Sequence, residues 1–276
     1  MKIDAHQHFW NYDPQRHGWI NEEMKVLKQD FLPLHLKKEM DKVGVEGCVA
    51  VQADQTERET DFLLEQAEEH DFVKGVVGWL DIRADNLEER LNHYAEHEAL
   101  KGLRHIVQDE PDDRFLLQPD FLRGIKTFGD YDLTYDILIY ARHLPVAVEF
   151  ASKFPDQKFV LDHIAKPEIK TQKIEEWENG IRELAKHPKM YCKISGMVTE
   201  ADWQHWKPKD FTPYLDVVFD AFGADRLMFG SDWPVCTLAA GYREVYELIG
   251  DYISGLSQYE QGLIMGKNAI AAYNLY

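Results

Sequence analysis

His6 and His8 stand two residues apart in the stretch DAHQHFW near the start of the chain, with Asp4 two residues before them. On an extended strand successive side chains alternate between faces, so this spacing predicts that Asp4, His6 and His8 share one face, with the two imidazoles converging at the strand's C-terminal end. An H-x-H pair so placed can chelate a cation or polarise a carbonyl, although a polar strand end in a solvated mouth would carry the same residues. Asp232 follows an apolar run in RLMFGSDWP, His163 ends another in LDHIAKP, and Arg104 and His105 end a third in GLRHIV. As a turn residue or helix cap before Pro234, Asp232 alone would be unremarkable. That reading does not explain why three other apolar runs also end in His or Arg. Arg104 and His105 must point to opposite faces of their strand, which leaves open which one enters the interior. Either could instead pair with Asp109 or Glu110.

The elements that would hold these residues follow from periodicity. Short apolar or β-branched runs occur at 2–9, 47–53, 73–80, 100–107, 132–140, 158–164, 190–196 and 226–232. Segments between them, such as 57–71, 85–98, 173–187 and 212–222, carry apolar residues three and four apart, and several open on acidic turns that suit a helix N-terminus. Strands alternating with helices favour parallel pairing through right-handed crossovers, and eight repeats close into a barrel. The 276 residues suit a single (β/α)8 domain spanning 1–276, which typically needs about 250. An open doubly wound sheet is disfavoured because no Gly-rich phosphate loop follows the first strand. Closure sets strand eight beside strand one, and so Asp232 beside His6 and His8. Two long segments, 9–32 and 106–120, fall at the strands' C-terminal side, where barrel enzymes build substrate sites. The tail, 257–275, reads as an extra helix.

Composition narrows the partners. A formal net charge of −18 with scattered basic residues argues against nucleic acid. Neither a leader-like start nor an apolar run of about 18 residues is present, so no membrane association is expected and a cytoplasmic location is the default. Cys48, Cys192 and Cys236 are odd in number and outside any ligand spacing, which predicts reduced, buried thiols. A small molecule remains as the expected partner; oligomeric state is not legible. Trp10, Trp79, Tyr135, Tyr140 and Trp233 fall near the expected mouth, where rings can stack on a sugar's apolar face, and Asp136 could bind its hydroxyls. Core packing and a buried structural hydrogen bond are the competing roles for these residues.

Taken together, DAHQHFW, KGLRHIVQDEP, LDHIAKP, the KISG of strand seven and FGSDWPV resemble the lactonase branch of the amidohydrolase superfamily. That resemblance runs from the first strand to the eighth and implies hydrolysis of a small cyclic ester, a sugar-acid lactone above all. It gives His6 and His8 the H-x-H role, His163 that of the strand-six histidine, and Asp232 that of the strand-eight aspartate handling the water. Arg104 or His105, with Trp10, Trp79, Asp136 and Trp233, would hold the substrate. The sequence departs from metal-dependent members in lacking a lysine at the end of strand four and a histidine on strand five. The expectation is therefore either no required cofactor or one divalent metal such as zinc on His6, His8 and Asp232. The alternative within the same superfamily is a metal-dependent decarboxylase, and a non-catalytic binding barrel ranks below both.

Overall fold

The computed structural model describes residues 1–276. Eight strands, β1 (Ile3–Gln7), β2 (Gly47–Val51), β3 (Val73–Gly78), β4 (Leu100–Ile106), β5 (Thr134–Leu138), β6 (Phe159–Leu161), β7 (Met190–Ile194) and β8 (Leu227–Phe229), run parallel and neighbour one another in chain order. The seam between the last and the first is closed by backbone: Asp232 donates to the His6 carbonyl at 2.8 Å and His8 to that of Trp233 at 2.7 Å. Single helices cover the outside: α1 (Pro33–Val43), α2 (Glu57–Glu69), α3 (Leu87–Tyr94), α4 (Pro119–Thr127), α5 (Leu144–Ser152), α6 (Glu175–Leu184), α7 (Pro208–Phe222) and α8 (Tyr242–Tyr252). In α2 the Thr56 hydroxyl caps the Glu59 amide, Glu57 and Glu59 fill the first turn, and Leu63 and Leu64 are buried. The amphipathic spacing read from residues 57–71 is the cause of that packing. No helix is long and apolar enough to cross a membrane.

Inside the barrel Ile3, Ala5, Val49, Val51, Val77, Val160 and Met228 form an apolar layer. It is closed from below by Ala269, Ala272, Tyr273 and Leu275 of the C-terminal segment. This segment is two short helices, α9 (Gln258–Gly262) and α10 (Asn268–Tyr273), rather than the single helix its sequence suggests. They meet at a π turn containing Gly266, where a Cβ would stand 2.3 Å from the Met1 carbonyl oxygen. The chain bends there to seat the plug against β1.

Two expected strands also stop short. The run 158–164 leaves extended geometry after Leu161, and 226–232 does so after Phe229. His163, Ile164, Ala165 and Lys166 have φ of 53°, 47°, 59° and 45°, and Asp232 has φ of 57°. Left-handed geometry costs a non-glycine residue roughly 1–2 kcal/mol, so four in succession must be held by their surroundings. Of these residues, His163, Lys166 and Asp232 line the cavity at the barrel mouth, and Ile164 and Ala165 pack into the core. Cys48, Cys192 and Cys236 are free and buried.

Candidate active site

A bulge in β1 decides which way its polar residues point. Asp4 pairs with Cys48 on β2, but Gln7 pairs with Ala50, so one extra residue is inserted between them. Bulges of this kind re-aim side chains and recur beside active sites. His6 and His8 consequently both face the interior, while Asp4 does not share their face as the two-residue spacing suggested. Asp4 instead accepts from the Ser231 amide at 2.9 Å and from its hydroxyl at 2.6 Å, tying β1 to the end of β8. Burial, opposed by those hydrogen bonds, raises its carboxyl to about 6.

His6 Nε2 and His8 Nε2 lie 3.2 Å apart, and Asp232 Oδ1 is 3.8 Å from the first and 3.4 Å from the second. The far nitrogen of each ring has an acceptor nearby. His8 Nδ1 lies 2.7 Å from the Val51 carbonyl, and His6 Nδ1 lies 3.3 Å from the buried Asp162 Oδ1. With the protons on the Nδ1 atoms, a tautomer of His6 in which the Lys193 ammonium 3.2 Å away donates to Asp136 and Asp162 instead, both Nε2 lone pairs are left aimed at one point. Ligands about 2.0–2.1 Å from a tetrahedral ion are separated by roughly 3.3 Å. The donor set His6, His8 and Asp232 therefore fits a divalent ion.

His163 completes the arc. Its Nδ1 is 2.9 Å from the Ser195 hydroxyl, and its Nε2 is 3.9 Å from Asp232 Oδ1. Gly196 is required beside it, since a Cβ at that position would stand 2.5 Å from His163 Nδ1. Burial lowers His163 to about 4 and drives His6 well below the usual imidazole range, so both rings are neutral at physiological pH. For Asp232, burial alone would raise the carboxyl, but His163, His8 and Lys166 outweigh it and hold the group below its ordinary value. The site thus presents an ionised Asp232 carboxylate beside the neutral rings of His6 and His163.

Beneath these groups lies a polar layer that sequence reasoning only partly saw. Arg104 enters the interior and His105 does not. The Arg104 guanidinium donates to the Gln52 side chain at 2.7 Å and to Asp162 Oδ2 at 2.9 Å, and its remaining Nη1 proton faces His6 Nε2 at 3.3 Å. Lys193 of β7, fully buried, lies 2.6 Å from Asp136 Oδ2, 2.9 Å from Asp162 Oδ1 and 3.2 Å from His6 Nδ1. Burial would raise Asp162, yet Lys193, His6 and Arg104 together keep it well below the ordinary carboxylate range. The sequence signal was a lysine inside the apolar run MYCKIS. Two fixed cations thereby bracket His6 from below.

A cavity of about 360 Å³ opens above this layer. Its wall includes His8, Arg104, His163 and Asp232, together with Trp19, Tyr140, Lys166, Glu200 and Trp203. Of these, Trp19, Lys166, Glu200 and Trp203 carried no expectation; Lys166 stands in the LDHIAKP motif itself. Several residues assigned to substrate lie elsewhere. His105 points outward, stacked on Phe115 with ring centroids 4.6 Å apart, and pairs with Glu110 at 2.7 Å, the alternative role named for it. Trp79 donates to His105 at 3.4 Å on that same outer side. Trp10 is buried against Phe31 and donates to the Gln29 carbonyl at 2.9 Å, and Trp233 packs on the other side of Phe31. Asp136 is deep in the interior, where Tyr273 from the plug donates to it at 2.7 Å. Tyr135 belongs to an aromatic cluster outside the strands with Phe121 and Phe150. Loop 9–32 supplies Trp19 and Met24, so the long segment does wall the cavity even though Trp10 serves its packing.

A parallel eight-stranded barrel that gathers imidazoles and one ionised carboxylate at the C-terminal ends of its strands is an α/β-barrel enzyme built to aim a nucleophile or a cation at substrate. Comparison with known proteins makes this narrower. The chain belongs to the amidohydrolase family, which matches residues 3–275. It is 40% identical to an L-fucono-1,5-lactonase of Burkholderia multivorans, covering 100% of this chain and 96% of that one. It is 36% identical to an L-fucono-1,5-lactonase of Burkholderia ambifaria over 95% of this chain and 87% of the other. A crystal structure of an amidohydrolase from Burkholderia multivorans with bound zinc superposes with a TM-score of 0.97 at 40% identity, covering 100% of both chains. More distant barrels share the fold alone. These include a probable 2-pyrone-4,6-dicarboxylic acid hydrolase of Acinetobacter baumannii at 15% identity and a 2,6-dihydroxybenzoate decarboxylase at 14%.

Proposed function

We propose that this amidohydrolase is a lactonase that opens a sugar-acid 1,5-lactone of the L-fucono type, with Asp232 as the base that takes a proton from the attacking water. The observation carrying this reading is the ionised Asp232 carboxylate, 4% exposed, at the floor of a cavity and within 3.9 Å of three imidazoles. The two lactonase relatives at 36–40% identity supply the substrate class.

Ring opening needs a deprotonated water, a donor for the oxygen that gains charge, and a proton for the departing alkoxide. Asp232 accepts the water's proton as its oxygen bonds to the lactone carbonyl carbon. Arg104 lines the cavity through the Nη1 edge that lies 3.3 Å from His6 Nε2, and on this reading that edge turns the one proton it does not give to Asp162 to the carbonyl oxygen as negative charge builds there, while His163, held by Ser195, orients the water. When the ring C–O bond breaks, the proton on Asp232 passes to the alkoxide, leaving a hydroxy acid and a regenerated carboxylate. An ester leaving group is far easier to expel than an amine, so this set is chemically sufficient. A divalent ion held by His6, His8 and Asp232 would act as a Lewis acid toward the same carbonyl.

The test is acid release from a panel of freshly prepared aldonolactones and a pyrone dicarboxylate lactone, before and after chelation. Turnover of a 1,5-aldonolactone supports the reading, and loss on chelation with recovery on zinc makes the metal part of it. No lactone turnover, with CO2 released from an aromatic acid instead, replaces it with the decarboxylase reading.

A further inference from the structure

Lys166 and Glu200 line the catalytic cavity; Lys166 helps to hold Asp232 ionised, but the mechanism above gives neither residue a contact with substrate. They reach it from two neighbouring strand ends: Lys166 from the left-handed turn after β6, and Glu200 from a short turn after β7. Their side chains are 18% and 23% exposed, and the Lys166 ammonium lies 3.9 Å from Glu200 Oε1. That gap is too wide for a hydrogen bond. Neither charged end hydrogen-bonds to any other protein group, so both are available to a molecule in the cavity. Lys166 has only the Tyr140 ring below it, 5.5 Å away. Backbone strain of the kind seen from His163 to Lys166 collects at ligand-binding positions, where the surroundings hold an unfavourable conformation for a purpose. Without that turn Lys166 would not face the cavity.

We infer that Lys166 and Glu200 form a polyol clamp that reads ring hydroxyls of the lactone and so determines its specificity. A hydroxyl group both accepts and donates, which matches an ammonium donor and a carboxylate acceptor 3.9 Å apart, close enough for one oxygen to bond to both. One ring hydroxyl accepts from Lys166 Nζ while it, or its vicinal neighbour, donates to Glu200 Oε1. Trp203 and Tyr140 on the same wall offer aromatic faces to the ring's C–H groups. The charges also exclude a competitor. Asp109, Glu200 and Asp232 line the cavity against Arg104 and Lys166, so a substrate bearing two carboxylates meets an excess of negative charge. This assignment rests on the lactonase reading for its substrate class.

The experiment compares wild type with Glu200→Gln and Lys166→Met on two lactones of equal ring size, L-fucono-1,5-lactone and the unsubstituted δ-valerolactone. Hydrogen bonds to charged groups are worth enough that each variant should lower the selectivity ratio, kcat/KM for the sugar lactone over that for δ-valerolactone, about 10–100-fold, chiefly through KM. An equal fall on both lactones, or no fall, overturns the clamp. Titration calorimetry with L-fuconate, the hydroxy acid product, separates this from the parent reading. If no lactone is turned over but L-fuconate binding weakens at least tenfold in both variants, the clamp stands and the lactonase reading falls. Unchanged L-fuconate affinity in the variants refutes the clamp.

Discussion

Replacing Asp232 with Asn removes the carboxylate proposed to activate the water while leaving the shape of the site almost intact. The left-handed backbone at position 232, φ 57°, is one that asparagine tolerates nearly as well as aspartate. The change also removes a buried negative charge, so folding should be affected little and the melting temperature should stay within a few degrees. Catalysis should not. The other carboxylate at these rings, Asp162, lies 3.3 Å from His6 Nδ1 and is engaged by Arg104 and Lys193, and both His6 and His163 are held too far below the ordinary range to substitute as strong bases. A positioned general base contributes about 10²–10⁴-fold, which corresponds to roughly 3–5 kcal/mol of barrier. The assay is initial acid release from a fresh 1,5-aldonolactone, followed by pH indicator, with the spontaneous rate subtracted and zinc content measured for both proteins. A fall in kcat of at least a hundredfold at equal zinc content is expected. Activity within fivefold of wild type would refute the assignment of Asp232 as base.

The pH profile should be flat through neutrality, with an acid limb near pH 4. His163 is depressed to about 4 and Asp232 lies below its ordinary value, so neither gains a proton until the pH falls through those values; a limb centred near 6.5 would contradict the burial argument. The same depression makes a stability prediction whose sign is fixed by linkage. Between about 6.5 and 4 the unfolded chain protonates His163 and the folded one does not, so this group's contribution is present above pH 6.5 and is lost as pH falls. His163→Asn should therefore flatten the decline of melting temperature over that window. Lys193→Met would leave Asp136 and Asp162 facing each other in the barrel with one cation fewer, a loss of about 3–5 kcal/mol visible in urea unfolding. Gly230→Ala would put a methyl 2.8 Å from the His6 Cβ and 3.1 Å from that of Ser195, costing about 1–3 kcal/mol and displacing both histidines' supports, so activity should fall more than stability. Wild-type turnover in that variant would show that the seam is looser than its contacts imply.

The barrel was legible because its cause is local. Alternating apolar runs and amphipathic segments survive in the sequence whatever the tertiary detail; the helix at 57–71 appears as α2, and each expected strand run contains a strand, although those at 158–164 and 226–232 keep only three extended residues. The strand-end residues His6, His8, His163 and Asp232 were legible for the same reason, since polar groups closing apolar runs in a barrel must meet at one rim. What escaped depended on departures from ideal geometry. A single inserted residue in β1 turned Asp4 away from the histidines, and no residue-type pattern announces a bulge without glycine. The left-handed turn from His163 to Lys166 contains no glycine either, so its strain, and the entry of Lys166 into the cavity, could not be read from IAK. Of the aromatic residues expected at the mouth Tyr140 lines the cavity, but the others misled because position near a strand end does not say which side of the wall a ring occupies. Trp10, Trp79 and Trp233 all found partners in the layer between loops and strands. Asp136 and Lys193 sit one layer below the chemistry, a depth set by where β5 and β7 stand in the barrel rather than by their own neighbours in sequence.

The most direct test is a proton NMR time course of freshly dissolved L-fucono-1,5-lactone with the wild-type protein at catalytic concentration, set against spontaneous opening in the same buffer. The arrangement of Asp232 with His6, His8 and His163 predicts rapid, saturable conversion to the open hydroxy acid. A time course indistinguishable from the spontaneous one, with folded, zinc-replete protein, would contradict it.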